Sequence, residues 1–157
     1  LTGGLSTSLS YKRWTASAYF SGQFGHYIYN NTANAFFTAG AFRGGRNVTS
    51  DVLTAGESFD AAADVSTRFL ESGDFVRFQN ATVSYNWPLS GDEFFSSLVF
   101  SVTGQNLFVI TDYSGLDPEV SSSPSGGDLL NGLPVFGIDY ASYPRPRTFT
   151  FGLNAKF

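Results

Sequence analysis

Arg147-Thr-Phe-Thr-Phe-Gly-Leu-Asn-Ala-Lys-Phe157 alternates polar and apolar residues without a break. Successive side chains of a strand point to opposite faces, so Phe149, Phe151, Leu153, Ala155 and Phe157 share one face. Thr148, Thr150, Gly152, Asn154 and Lys156 share the other. At roughly 3.3 Å per residue and a tilt of about 45°, such a strand rises on the order of 25 Å, the height of a membrane barrel's apolar belt. The edge strand of a soluble sandwich would show the same alternation, so this stretch alone leaves both readings open.

Composition favours a barrel. The 157 residues include 17 Gly, 17 Phe, 8 Tyr and 2 Trp, and only 14% are charged. Typical soluble domains carry about 25% charged residues. A lipid-facing surface accommodates both the aromatic load and the scarcity of charge. No apolar run approaches the length of a transmembrane helix, and Leu1-Thr-Gly-Gly begins no secretory signal, so a mature or partial chain is expected to start here. The absence of Cys removes disulfides and thiolate chemistry. A net charge of −4 without a Lys/Arg cluster argues against a nucleic-acid partner.

The alternation recurs upstream and predicts five strands, over about 5–12, 14–29, 75–87, 97–108 and 147–157. Leu5, Leu9 and Tyr11 oppose Ser6, Ser8 and Ser10, and Lys12-Arg13 reads as a tight turn. Trp14, Ala16, Ala18, Phe20 and Phe24 oppose Thr15, Ser17, Ser21 and Gln23. Ala81, Val83, Tyr85 and Trp87 oppose Asn80, Thr82, Ser84 and Asn86, before Pro88 opens a short connection through Ser90-Gly91-Asp92-Glu93. Leu98, Phe100 and Val102 oppose Val99, Ser101, Thr103 and Gln105 less cleanly.

Connections are short after the first and third strands and long after the second (about Asn30 to Gly73) and fourth (about Val109 to Pro146). Short periplasmic turns and long extracellular loops are the pattern of a transmembrane barrel, with the C-terminus at the periplasmic side. Tyr11, Trp14, Tyr85, Trp87 and Phe157 gather on the short-turn side, as an aromatic girdle would. Aromatic core residues at strand ends are the plainer alternative. Five strands cannot close a membrane barrel, and an open edge in lipid leaves backbone groups unsatisfied. The expected chain is therefore an all-β, C-terminal section of a larger barrel.

Three phrases carry a family likeness. Phe69-Leu-Glu-Ser-Gly-Asp-Phe-Val-Arg-Phe-Gln-Asn-Ala-Thr-Val-Ser-Tyr85, Val102-Thr-Gly-Gln-Asn-Leu-Phe-Val-Ile-Thr-Asp-Tyr-Ser-Gly-Leu-Asp-Pro-Glu-Val120 and Tyr143-Pro-Arg-Pro-Arg-Thr-Phe-Thr-Phe-Gly-Leu-Asn-Ala-Lys-Phe157 resemble late barrel segments of SusC-like TonB-dependent transporters. Phe20 to Asn30 and Asn47 to Leu53 are similar to the same family. The resemblance implies the last five of 22 strands in a bacterial outer-membrane importer of bulky nutrients, such as oligosaccharides or peptides. It also implies a SusD-like lid lipoprotein, TonB acting through an N-terminal plug absent here, the lipid bilayer and the remainder of the barrel as partners. Thr150, Gly152 and Phe157 resemble the signal read by the barrel-assembly machinery, although Ala155 stands where a bulkier residue is commoner.

Candidate chemistry is sparse, and no enzyme or cofactor is expected. His26 is the single histidine, no Gly-x-Ser-x-Gly elbow surrounds a serine, and a barrel-face or rim position suits His26 better than a triad. The pairs Asp60/Asp64, Glu71/Asp74 and Asp117/Glu119 lack calcium-loop spacing, so solvated loop carboxylates are the expectation and no metal is assigned. Asn30, Asn47 and Asn80 head coincidental Asn-x-Ser/Thr sequons. The low-complexity stretch Ser121 to Asp128 is expected to be mobile. It is flanked by Tyr113, Leu129, Leu130, Leu133, Val135, Phe136, Tyr140 and Tyr143, an unusually apolar loop, with Asp117 of Asp117-Pro118-Glu119 beside them in a loop-folding role. Of these, Tyr113, Asp117, Phe136, Tyr140 and Tyr143 are the candidate contacts with neighbouring loops or the lid. A non-transporting adhesin or scaffold barrel, a barrel enzyme using His26, and a soluble lipid-binding barrel are the alternatives.

Overall fold

The computed structural model describes residues 1–56, 58–60, 66–89, 94–122 and 135–157. Two compact units divide the chain: residues 1–24, 75–111 and 145–157 form one, and 25–74 and 112–144 the other. In chain order the strands are β1 (Thr2–Tyr11), β2 (Trp14–Gln23), β3 (Tyr27–Asn30), β4 (Leu70–Ser72) and β5 (Phe75–Asn86). There follow β6 (Ser97–Thr111), β7 (Ser121–Ser122), β8 (Val135–Phe136), β9 (Ile138–Asp139) and β10 (Thr148–Lys156). Helices α1 (Asn31–Phe37) and α2 (Ala39–Arg43) come after β3.

The first unit is one antiparallel sheet in the order β1-β2-β5-β6-β10. Its register lines the apolar residues up across the strands. One row runs Tyr11, Trp14, Tyr85, Phe100, Leu153; the next runs Leu9, Ala16, Val83, Val102, Phe151. The opposite face carries Ser8, Ser17, Thr82, Thr103, Thr150 and Ser10, Thr15, Ser84, Ser101, Gly152. A slip of one residue anywhere would exchange the faces, so the alternation itself excludes it.

Lys12 and Arg13 close β1 to β2 as a two-residue turn, with Tyr11 opposite Trp14 and Lys12 at φ +55°. A positive φ in so short a loop matches the strands' twist. Further up the sheet, Gln79 is an extra residue of β5 against β2, and Asn106 and Leu107 together oppose Gln79 on β6. Asn106 accordingly takes φ +52°. The paired bulges keep Phe78 and Phe108 in an apolar row with Leu5 and Phe20.

The strands differ in extent from the sequence expectation. β1 starts at Thr2, and β6 runs on to Thr111. The expected strand over 14–29 is two elements, because β2 stops at Gln23 and Tyr27–Asn30 joins a different sheet. Gly25, at φ +75°, breaks the strand between them, and its N–H donates to Asp74 Oδ1 at 2.6 Å. The connection residues 90–93 lie outside the described residues.

In the second unit, β3 pairs with β4 antiparallel and with β9 in parallel, and β7 pairs with β8. Ile28, Tyr113 and Val120 form its apolar centre, and Ala39 and Val52 are also buried. Nothing in the loop sequence predicts α1. The Asn30 side chain starts it, accepting from the Ala33 N–H at 2.9 Å.

Candidate functional site

The sheet of the first unit presents two chemically opposite surfaces. On the apolar face Leu9, Trp14, Phe149, Phe151 and Leu153 are all exposed, Phe151 by 79%. The other face is laced by hydroxyls: Thr82 and Thr103 share a hydrogen bond of 2.9 Å, and Ser10 and Thr15 one of 3.3 Å. Gly152 belongs to this face for a steric reason, since a Cβ there would lie 2.5 Å from Ser101 Oγ.

Arg77, 1% exposed, sits at the bulges. Its Nη1 donates to Asn106 Oδ1 at 2.5 Å, and Asn106 Nδ2 donates to the Arg145 carbonyl at 2.5 Å. The guanidinium also lies 5.6 Å from the Phe75 ring centroid. This chain of contacts ties β5 to β6 and to the segment that leads into β10. Charge-assisted bonds of this kind contribute more than neutral ones.

Aromatic residues cluster at the turn end of the sheet. Trp14 and Tyr85 lie 4.7 Å apart between centroids, Tyr85 and Trp87 6.1 Å, and Trp87 and Phe100 6.1 Å. Phe157 joins Phe94 and Phe95 at 5.1 and 5.3 Å, and the Ser96 N–H donates to the Lys156 carbonyl. Offset and edge-on ring pairs add about 0.5–1.5 kcal/mol each beyond burial. Phe94 and Phe95 lie outside the alternating stretches, so no strand pattern marks them for this cluster.

A polar network knits the second unit. Glu71 accepts from Asn30 Nδ2 at 3.0 Å, from the Ser114 N–H at 2.8 Å and from Ser114 Oγ at 2.8 Å. Tyr113 O–H donates to Asp139 Oδ2 at 2.7 Å, and Asp139 Oδ1 accepts from the Ser142 N–H at 3.2 Å. Burial pushes the Tyr113 phenol far above its ordinary range, and the hydrogen bond to Asp139 and the charges of Asp139 and Glu71 push it the same way. Beside this network a cavity of about 570 Å³ is bounded by Asn30, Thr32, Phe36, Ser114, Asp139 and Tyr143, among others.

The candidate loop contacts divide into two sets. Tyr113 and Asp117 are buried within the unit itself, and Asp117 Oδ1 accepts from the Glu119 N–H at 2.9 Å, a turn-building bond. Phe136, Tyr140 and Tyr143 are exposed, Tyr143 by 96%. His26 lies past the end of β2, its carbonyl accepting from the Gly73 N–H at 2.9 Å. Glu71 and Asp74 serve hydrogen bonds within the unit, and Asp60 pairs with Arg43. Among the described residues no group of three or more metal-ligating side chains gathers. Asp64, residues 123–128, Leu129, Leu130 and Leu133 lie outside the described residues.

No protein-family profile matches the chain. Similar curated proteins do exist. TonB-dependent receptor P3 of Formosa agariphila is 33% identical over 99% of this chain and 16% of its own length. TonB-dependent receptor SusC of Bacteroides thetaiotaomicron is 30% identical over 98% of this chain and 15% of its own length. By sequence, the chain is a relative of the SusC-like TonB-dependent receptors. It spans 15–16% of the length of the receptors that it matches. Among solved structures, that of the RagAB peptide transporter superposes with a TM-score of 0.75 at 21% identity, over 99% of this chain and 17% of that one. The sheet thus has the fold of a section of an antiparallel β-barrel wall.

Proposed function

We propose that this chain forms the closing section of the wall of an outer-membrane, TonB-dependent importer of bulky nutrients, such as oligosaccharides or peptides. The carrying observation is the division of one sheet into an exposed apolar face and a hydroxyl face, in a chain related to these receptors. The apolar face meets lipid and the hydroxyl face lines the wet interior. β10 is the closing strand of a barrel of 22, and Thr150, Gly152 and Phe157 form its assembly signal. The second unit belongs to the extracellular side, where Phe136, Tyr140 and Tyr143 are free to meet a SusD-like lid lipoprotein.

The test is genetic. Disrupting the gene of the receptor that contains this segment, and separately the gene for TonB, should abolish growth on the same oligosaccharide or peptide. Unchanged growth of the receptor mutant on every bulky nutrient, with loss of surface attachment instead, would replace the importer with an adhesin.

A further inference from the structure

A slip of one residue between β6 and β10 would exchange the two faces of the sheet, but a slip of two would not. Moving β10 by two residues in either direction keeps Phe149, Phe151 and Leu153 on the apolar face and Thr150 and Asn154 on the hydroxyl face. Something other than alternation therefore selects the pairing in which Thr150 stands opposite Thr103 and Gly152 opposite Ser101. Both strands belong to this chain and pair directly, so the selecting contacts lie within it.

At the head of β10, Asn106 in its left-handed conformation donates from Nδ2 to the Arg145 carbonyl at 2.5 Å and to the Pro146 carbonyl at 3.4 Å. On the hydroxyl face, Ser101 Oγ lies 2.5 Å from where a Cβ of Gly152 would be and donates to the Gly152 carbonyl at 3.5 Å. On the apolar face, Gly104 is buried opposite Phe149. A Cβ there would lie 3.3 Å from the Phe149 ring and 2.7 Å from Leu107 Cδ2.

Each of these contacts is lost in a slip of two. Shifted so that Thr150 faced Gln105, the strand would take the Arg145 and Pro146 carbonyls away from Asn106, set Gly152 against Thr103 and bring Asn154 against Ser101. Shifted the other way, so that Asn154 faced Ser97, it would set Arg147 opposite Gly104 and Phe149 opposite Val102. Pro146, which has no N–H, would then enter the ladder opposite Gln105. We infer that these residues are a register key: Asn106 and the Ser101/Gly152 pair bar the first slip, and Pro146 and the Gly104/Phe149 pair bar the second. The inference goes beyond the importer reading and does not rest on it. Where β10 closes a barrel, the same key sets its stagger, because register and closure are linked.

The experiment uses the full-length receptor assembled in cells, with cysteine pairs that report the register and bridged peptides identified by mass spectrometry. Opposed residues, about 4.5–5.5 Å apart, can form a disulfide on oxidation, whereas diagonal neighbours, about 7–8 Å apart, cannot. Thr103→Cys with Thr150→Cys reports the observed pairing, Gln105→Cys with Thr150→Cys the first slip, and Ser97→Cys with Asn154→Cys the second. With the key intact only the observed pairing should bridge. Asn106→Leu should raise the first slipped product about tenfold, the weight of one strong hydrogen bond lost, and leave the second unchanged. Pro146→Ala should raise only the second. Val102→Ala, which weakens the same interface outside the key, should raise neither. Slipped products in the receptor with an intact key, or slips in Val102→Ala equal to those in Asn106→Leu, would overturn the key. So would an Asn106→Leu receptor that bridges only in the observed pairing. If Asn106→Leu fails to assemble, Ser101→Ala, a milder change that opens the same slip, decides by the same products. The bridges report only on β6 and β10, so a failure of the importer reading would leave them as they are.

Discussion

The two units of this chain solve the burial problem in opposite ways. In the sheet, large apolar side chains such as Phe149, Phe151 and Leu153 are exposed, while a charged residue, Arg77, is buried. In the second unit Ile28 is fully buried, Tyr113 lies inside, and polar Asn30, Asn34, Asp117 and Asp139 are buried with hydrogen-bond partners. A fold stabilised in water keeps its apolar groups inside and satisfies what polar groups it buries. The second unit has such a centre, although Phe136, Tyr140 and Tyr143 on it stay exposed; the sheet buries Phe75 and leaves large parts of both its apolar and its hydroxyl face open. A single sheet with one apolar and one hydroxyl face is what a wall between lipid and an aqueous interior would require.

Substitutions can break this contrast, and the largest effect should fall on the sheet. In the full-length receptor, Val102→Arg should cost about 2–4 kcal/mol of folding stability in lipid vesicles, measured by urea titration, because it places a charge on the lipid face. Thr103→Arg, one residue on, should cost well under half of that. Equal costs would erase the difference between the faces.

The second unit should respond to the loss of polar partners. Asn30→Ala removes a helix cap and one of Glu71's donors, so about 2–3 kcal/mol of local stability should disappear, read as faster hydrogen exchange at the α1 amides. Tyr113→Phe should cost about 1–2 kcal/mol by leaving Asp139 short of a donor. That contribution has a defined pH window. Below tyrosine's ordinary value of about 10 the phenol is neutral whether folded or unfolded, and the stabilisation is complete. As pH rises past it, the unfolded phenol ionises first and stability falls, because the folded value is raised. Tyr113→Phe should abolish this alkaline loss. The smallest effect belongs to the hairpin: Lys12→Gly should add about half a kcal/mol, the relief of a positive φ less glycine's entropy cost.

The same contrast explains what could be read from sequence. Period-2 alternation is local, so Phe149 to Phe157 or Leu5 to Tyr11 reveals a strand and its two faces without reference to the rest of the chain. The second unit is held by bonds between residues far apart, Asn30 to Glu71 and to Ser114, and Tyr113 to Asp139. No window of sequence shows such pairs. Asn30 read as the head of a sequon, yet its role is to cap α1 and bridge two loops; an Asn ahead of a short Ala-containing stretch was the available signal. Tyr113 is an apolar residue of a loop, which suggests a contact residue, but no sequence window shows that its partner is Asp139; Asp117, in Asp117-Pro118-Glu119, bonds locally to the Glu119 N–H. The bulge on β5 does leave a trace in the sequence, since the apolar positions shift from Ala81, Val83 and Tyr85 to Phe78 and Val76 across Gln79; its partner at Asn106 leaves none, because Val102, Phe108 and Ile110 stay in phase.

One labelling experiment tests the two-faced wall most directly. The chain has no cysteine, so single cysteines at positions 148 to 155 can be introduced into the full-length receptor without native thiols in this segment. In intact outer membranes, a membrane-impermeant maleimide should label positions 148, 150 and 154, and a lipid-soluble thiol reagent should label 149, 151 and 153. Both reagents labelling the same positions, or neither showing a two-residue period, would contradict a strand with lipid on one side and water on the other.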